Sequence, residues 1–399
     1  MIAWARRHLF RTRSDAALTL VFGALAIYVA YRALRFLFVT GRWDIVEVNL
    51  RLLMVGRFPT QHLPRISVTL IVMAAWAGVL AGLVRSRQVR AGRPVPIGLK
   101  ARALDLLERL WIPSAVCLLL LAMTTTIGPW LTAAGVVIGA VVGRLIGGLL
   151  GRIRLGGIGG LIVALALGAV PIALFFYLVD AIGYDDWEGF MLNLFLALCS
   201  IVLCFPLGVL LALGRRSSLP IVRGLSTAYI EIVRGAPLFV LLLLANVALQ
   251  FFIPADRAPA TATRAIAVFT LFTAAYMAEI VRGGLQSVPR GQYEAAKALG
   301  LSPTRQTALI VLPQALRNVI PAQIGQLISL FKDTSLAGAA MGLFELIEVS
   351  TVITQQGEFR GQGLIGETIA FAALMFWTVS YTMSRESQRL ERRLGVGTR

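Results

Sequence analysis

Ten apolar runs, each long enough to cross a bilayer, constrain this chain more than any other feature. They fall near residues 16–38, 66–84, 111–128, 130–150, 158–180, 190–214, 236–253, 265–284, 318–341 and 364–384. Spanning the hydrocarbon core takes about 20 apolar residues. No water is available there to satisfy loose backbone groups, so such runs must be helices. The fold expected is an all-α polytopic membrane protein of about ten transmembrane helices. Composition agrees, since 57% of the 399 residues are hydrophobic and only 15% are charged, against about 25% charged in a soluble domain. Gly128-Pro129 is read as the tight turn between the third and fourth runs.

A net charge of +18 raises the question of nucleic acid. The basic residues lie in short clusters between apolar runs, not along one helix face with stacking aromatics, so a nucleic-acid partner is not expected. They read instead as topology determinants, because Lys and Arg accumulate in cytoplasmic loops. Arg6, Arg7, Arg11 and Arg13 put the N-terminus inside, and Arg385, Arg389, Arg392 and Arg393 do the same for the C-terminus. Acidic groups, Asp185-Asp186-Glu188 and Glu345, Glu348 and Glu358, fall outside. The 39–65 stretch, which mixes Arg42, Arg51, Arg57 and Arg65 with Asp44 and Glu47, reads as an outer loop. This alternation places 285–318 in the cytoplasm.

Residues 287–313, SVPRGQYEAAKALGLSPTRQTALIVLP, form a polar-punctuated passage in an otherwise apolar chain. Pro289 suits the first turn of a helix, Tyr293, Ala296 and Leu299 share a face, and Gly300 stands where a left-handed cap is needed. Ser302 then caps a second helix whose first position is Pro303. The predicted unit is helix, tight bend, helix.

Glu294-Ala295-Ala296, then Gly300 after three residues, then Ile310-Val311-Leu312-Pro313 after nine more, resemble the EAA loop of ABC importer permeases. The resemblance implies that Glu294, Ala295, Ala296, Gly300, Ile310, Leu312 and Pro313 couple the chain to a separate ATPase. YIEIVRGAPLF at 229–239, AAYMAEIVRGGLQSV at 274–288 and FKDTSL at 331–336 look like further signatures of polar amino acid permeases. Residues 186–399 are thus similar to the five-helix core of type I ABC permeases, preceded by a membrane extension of about five helices over 1–185. The whole is closest in pattern to the long M-type subunit of general L-amino acid importers.

That likeness implies an importer subunit in the bacterial inner membrane. Its implied partners are ATPase subunits, a second homologous permease forming a heterodimer, a periplasmic amino acid-binding protein and the L-amino acid itself, all around a lipid bilayer. No phosphate-binding G-x-x-x-x-G-K-[ST] loop occurs, so ATP and Mg are expected on the partner, with no cofactor on this chain. Neither a catalytic nor a metal-binding constellation is expected: His8 and His62 lie far apart, and Cys117, Cys199 and Cys204 all sit in apolar runs.

Two further features are legible. Glu231-Ile232-Val233-Arg234-Gly235 recurs as Glu279-Ile280-Val281-Arg282-Gly283, and each Glu and Arg three apart can pair on one helix face at the membrane interface. Gly139, Gly143, Gly147 and Gly151 form a ridge on which a second helix can pack closely. For a zwitterion crossing an apolar slab, the candidate lining is Asn246, Gln250, Tyr276, Gln323, Gln326, Lys332 and Asp333, because unpaired polar groups in hydrocarbon are costly. The alternative reading, an ion-coupled secondary transporter, calls for buried midplane carboxylates, which the apolar runs hardly contain.

Overall fold

The computed structural model describes residues 10–90, 99–153, 157–180, 182–254 and 257–394. Arg6, Arg7 and His8 lie outside these residues, as do the side chains of Asp185, Gln250 and Arg393. Among the described residues all regular structure is helical, apart from one isolated bridge between Gly189 and Glu345.

Helix α1, Arg13–Arg35, begins at a capping box in which Thr12 Oγ1 accepts from Asp15 N at 3.1 Å and Asp15 Oδ2 accepts from Thr12 N at 3.1 Å. It buries none of its residues against the rest of the chain. The stretch expected to be an outer loop contains a helix instead, α2, Asp44–Val55. Ile45, Val46, Asn49, Leu50 and Leu53 are buried on it, spaced as one face of a 3.6-residue repeat. That face packs into the cluster formed by Phe190, Leu346, Val349, Phe371 and Phe376. Its charges, which made it look like a loop, lie on the other face.

Helices α3 (Leu63–Arg90), α4 (Leu99–Ala122), α5 (Ile127–Leu150) and α6 (Gly157–Val179) follow. The turn between α4 and α5 is 123–126, and Gly128-Pro129 sits inside the first turn of α5, where a missing N–H costs nothing. The glycine ridge is a close contact with α3: a Cβ on Gly143 would stand 2.0 Å from Ala75 O, and one on Gly147 would stand 2.1 Å from Val79 O. Trp76 Nε1 donates to Leu167 O at 2.7 Å, tying α6 to the same pair.

The helices from Gly189 onward take α2 and α4 into their core. Helix α7, Gly189–Arg215, and helix α10, Thr261–Ser287, pack along each other. Between them in sequence, α8 (Pro220–Gly235) and α9 (Leu238–Val247) are bent by 101° at Ala236-Pro237. The expected span 236–253 is therefore shorter, and a further helix precedes it. Pro237 supplies the break, having no N–H to continue α8. The span 318–341 is likewise interrupted: α14 covers Ile320–Asp333 and α15 covers Leu336–Met341. A short helix α16, Leu346–Val352, and the closing helix α17, Ile365–Leu394, complete the chain. Among the described residues five helices are long and apolar enough to cross a membrane, and the bent pair α8–α9 brings the number to six.

Candidate functional site

The C-terminal ends of α7 and α10 meet the hairpin. Its first helix, α11, runs Arg290–Ala298, with Pro289 one residue earlier than expected, at the cap position. Gly300 adopts φ +72°. Leu301 N donates to Ala296 O at 3.2 Å and Gly300 N to Lys297 O at 2.9 Å, the 6→1 closure of a left-handed helix cap. A Cβ at Gly300 would meet nothing within 4 Å, so only its backbone conformation calls for glycine. Ser302 Oγ accepts from Arg305 N at 3.4 Å, and Pro303 opens the second helix, α12, Pro303–Gln306. Thr307–Val311 widens into a π turn before helix α13, Leu312–Asn318. Pro313 supplies the reason, since its ring cannot join an ordinary α-helical ladder.

One side of this hairpin is anchored and the other is bare. Ala296, Val311 and Ala315 are buried in a cluster with Ala212, Ile230, Met277, Val281 and Leu285. Tyr293 OH donates to Leu285 O at 3.2 Å, and Gln306 Nε2 to Tyr293 O at 2.8 Å. Glu294, Ala295 and Gly300 are exposed, with Leu299 at 79% and Leu309 at 64%. Ile310 and Leu312 are half-buried, and Pro313 is exposed.

Beside the hairpin the two copies of EIVRG come together, though not as two separate pairs. Glu279 and Arg282 do pair along α10, with Nε to Oε1 at 2.9 Å. Glu231 pairs not with Arg234 but with Arg215, at 2.8 Å. Arg234 instead lies 3.8 Å from Glu279, and Arg215 also reaches Glu279 at 3.1 Å. The reason is the turn between α7 and α8, which brings Arg215 between both carboxylates. In the sequence Arg215 is one more member of the short basic clusters between apolar runs, and its neighbour Arg216 donates to Tyr293 OH at 3.4 Å. The cluster thus touches the hairpin.

The lining candidates are spread over several elements. Asn246, on α9, accepts from Arg264 through its backbone oxygen at 3.1 Å. Tyr276, on α10, lies under the Arg234 guanidinium at 5.4 Å. On α14, Gln323 is buried with its Nε2 unpartnered, Gln326 and Asp333 are half-buried, and Lys332 is exposed. Arg264 escaped the sequence reading because a lone Arg at the start of an apolar run looks like an anchor. A second group escaped it too. Asn193 Nδ2 donates to Glu345 Oε2 at 3.1 Å and Thr334 Oγ1 at 3.2 Å, and Asn193 Oδ1 accepts from Leu346 N at 2.9 Å. Asn193 lies 141 or more positions from each of these partners, so no local pattern could signal the group.

The pattern of the family "Binding-protein-dependent transport system inner membrane component" matches residues 204–396. The chain is 43% identical over 234 residues to a glutamate/glutamine/aspartate/asparagine transport system permease protein, BztC, of Rhodobacter capsulatus, covering 58% of this chain and 52% of that one. It is 43% identical over 222 residues to an inner membrane amino-acid ABC transporter permease protein, YhdY, of Escherichia coli, covering 56% and 60%. The alignments therefore span little more than half the length of these two relatives. A probable glutamine ABC transporter permease protein, GlnP, of Bacillus subtilis is 37% identical over 205 residues, 51% of this chain and 91% of the relative. The hairpin and the charge cluster's Arg215, Glu231, Arg234, Glu279 and Arg282 all fall inside the matched region, and the chain belongs to the family of inner membrane components of binding-protein-dependent transport systems.

Proposed function

We propose that this chain is the membrane-spanning permease subunit of an ATP-driven importer of L-amino acids in the inner membrane. The observation that carries the reading is the hairpin 289–318: held on one face by Ala296, Val311 and Ala315, it leaves Glu294, Ala295 and Leu299 uncovered at one end of the bundle. A short helix presented in this way suits a groove in a soluble subunit, and small Ala residues allow close approach. Nucleotide-driven closure of that subunit would move the hairpin, and through Tyr293 and Arg216 the cluster beneath it. The partners in this reading are two ATPase subunits that carry ATP and Mg, a second homologous permease and a periplasmic receptor, with both termini of this chain on the ATPase side. The names of the relatives point to glutamate, glutamine, aspartate and asparagine as the first cargo to try.

The test is purification of the intact membrane complex followed by uptake of radiolabelled L-glutamine into proteoliposomes supplied with the co-purified receptor. ATP-dependent accumulation, with an ATPase and a second permease identified in the complex, is the expected result. Accumulation driven by an ion gradient without any ATPase overturns the proposal.

A further inference from the structure

Where α8 turns into α9, the bend leaves a groove of ≈ 350 Å³ against α10. One wall is Leu241, Leu244, Ala245, Ala248 and Phe252, which recur at i, i+3, i+4, i+7 and i+11 along α9 and the short helix Leu249–Phe252 after it. The facing wall is Leu271 and Phe272 of α10. None of the lining residues is charged, and the one hydroxyl among them, on Tyr229, donates to Leu271 O at 2.8 Å. Leu244 is 57% exposed and Phe252 82%, so the groove opens sideways out of the bundle. The helical rise from Leu241 to Phe252 is about 16 Å, close to one leaflet of a hydrocarbon core about 30 Å thick. A partner helix of about 10 Å diameter would need over about 1,000 Å³ along that length. A single hydrocarbon chain needs far less.

A cation stands at the α8 end of this groove. Arg234 directly follows Val233 of the lining, and its guanidinium lies over Tyr276 at 5.4 Å, whose ring packs on Phe272 at 4.9 Å. Its contact with Glu279, at 3.8 Å, is too long for a hydrogen bond, and its side chain is 34% exposed. Glu279 is already taken by Arg282 and Arg215, and Arg215 also holds Glu231. Three arginines thus share two carboxylates, and Arg234 is the one left over. The depth is that of lipid headgroups. Ile221, Leu225 and Ile232 are exposed on the face of α8 opposite the buried Ile230, the pattern of a helix lying in the membrane interface.

We propose that this groove seats one acyl chain of an anionic phospholipid whose phosphate is bound by Arg234. Charge decides the class of lipid. A phosphatidylglycerol supplies the missing anion, whereas a phosphatidylcholine or phosphatidylethanolamine brings a cation of its own to a cluster that already has one in excess. The lipid fills the inside of the bend and braces α8 against α10. This inference requires a chain that spans a bilayer and is independent of the cargo and of any ATPase.

The test titrates the full-length chain, purified in detergent, with phosphatidylglycerol and with phosphatidylcholine of identical acyl chains, and counts bound lipids by native mass spectrometry. Expected is one saturable phosphatidylglycerol, bound about tenfold more tightly than phosphatidylcholine, the size of one hydrogen bond to a charged group. Arg234→Gln should erase that preference and Arg234→Lys restore part of it, while Arg385→Gln, on α17, changes nothing. Ala245→Trp, which fills the groove, should weaken the binding of both lipids, with a melting temperature close to wild type. Glycerol 1-phosphate, the anion without its chains, should compete poorly. Equal affinity for the two lipids, or an unchanged preference in Arg234→Gln, overturns the site. Loss of the preference in Arg234→Gln with unchanged binding to a folded Ala245→Trp leaves only an anion on a surface cation, and overturns the groove as its seat. If Ala245→Trp instead releases a co-purifying protein chain, the groove is a subunit contact and the lipid is overturned.

Discussion

Glu345 shows how much one side chain can be asked to do. It is 1% exposed, caps α16 by accepting from Ile347 N and Glu348 N at 3.0 Å each, and accepts from Asn193. It belongs to the connection between α15 and α17, outside the spans, and burial pushes its carboxyl up to about 7. The groups facing it are the neutral Asn193 and Thr334 and the like-charged Glu348. The folded state thus holds this proton more tightly than the unfolded chain, whose Glu titrates near 4.3. Its contribution is fully present below the unfolded value and is lost as pH rises through about 7, a swing of about 4 kcal/mol. Thermal unfolding in detergent should therefore show the melting temperature falling from pH 5 to pH 7.5, with the slope reduced in Glu345→Gln. Parallel slopes in the two proteins would show that Glu345 is not the titrating group.

At the scale of an element, the hairpin 289–318 was legible almost completely, because its signals are local: Gly300 for a left-handed residue, Ser302 and Pro303 for a helix start. Helix α2 was not, because its register shows only once Ile45, Val46 and Leu53 have α7, α16 and α17 to pack against. Span 236–253 was misjudged for a related reason. Its composition is apolar throughout, and Pro237 marks the place of a bend without giving the angle. The hairpin carries a sharp expectation. Because Gly300 has φ +72° and open space around it, a substitution there acts on this chain's own fold through backbone strain. Gly300→Val should strain the cap by about 1–2 kcal/mol and depress ATP-dependent uptake. Gly300→Asn, which tolerates the left-handed region, should stay near wild type at equal expression. Equal uptake by all three proteins would mean that the bend is not used in coupling.

For the whole molecule, the question is how movement at the hairpin reaches the bent pair α8–α9. Packing alone gives one route, through Val311 and Ala315 onto Met277 and Val281. Charge gives another. Arg215 joins Glu231 of α8 to Glu279 of α10, Arg234 leans on Glu279 just before the 101° bend, and Arg216 reaches Tyr293 of the hairpin. This adjacency defines an experiment. Arg215→Ala leaves Glu231 unpaired at the surface and Glu279 with only Arg282 and Arg234, a loss of about 0.5–1 kcal/mol, and cuts the bridge from α8 to α10 without touching the hairpin. The complex should then still assemble and hydrolyse ATP, while transporting fewer amino acids per ATP. Arg215→Lys, which retains the charge but not the forked geometry, should recover part of that ratio. If uptake and hydrolysis fall together in Arg215→Ala, the cluster only supports the fold. If the transport-to-hydrolysis ratio falls alone, the repeated EIVRG segments act as the joint between a hairpin that is pushed and a helix pair that bends.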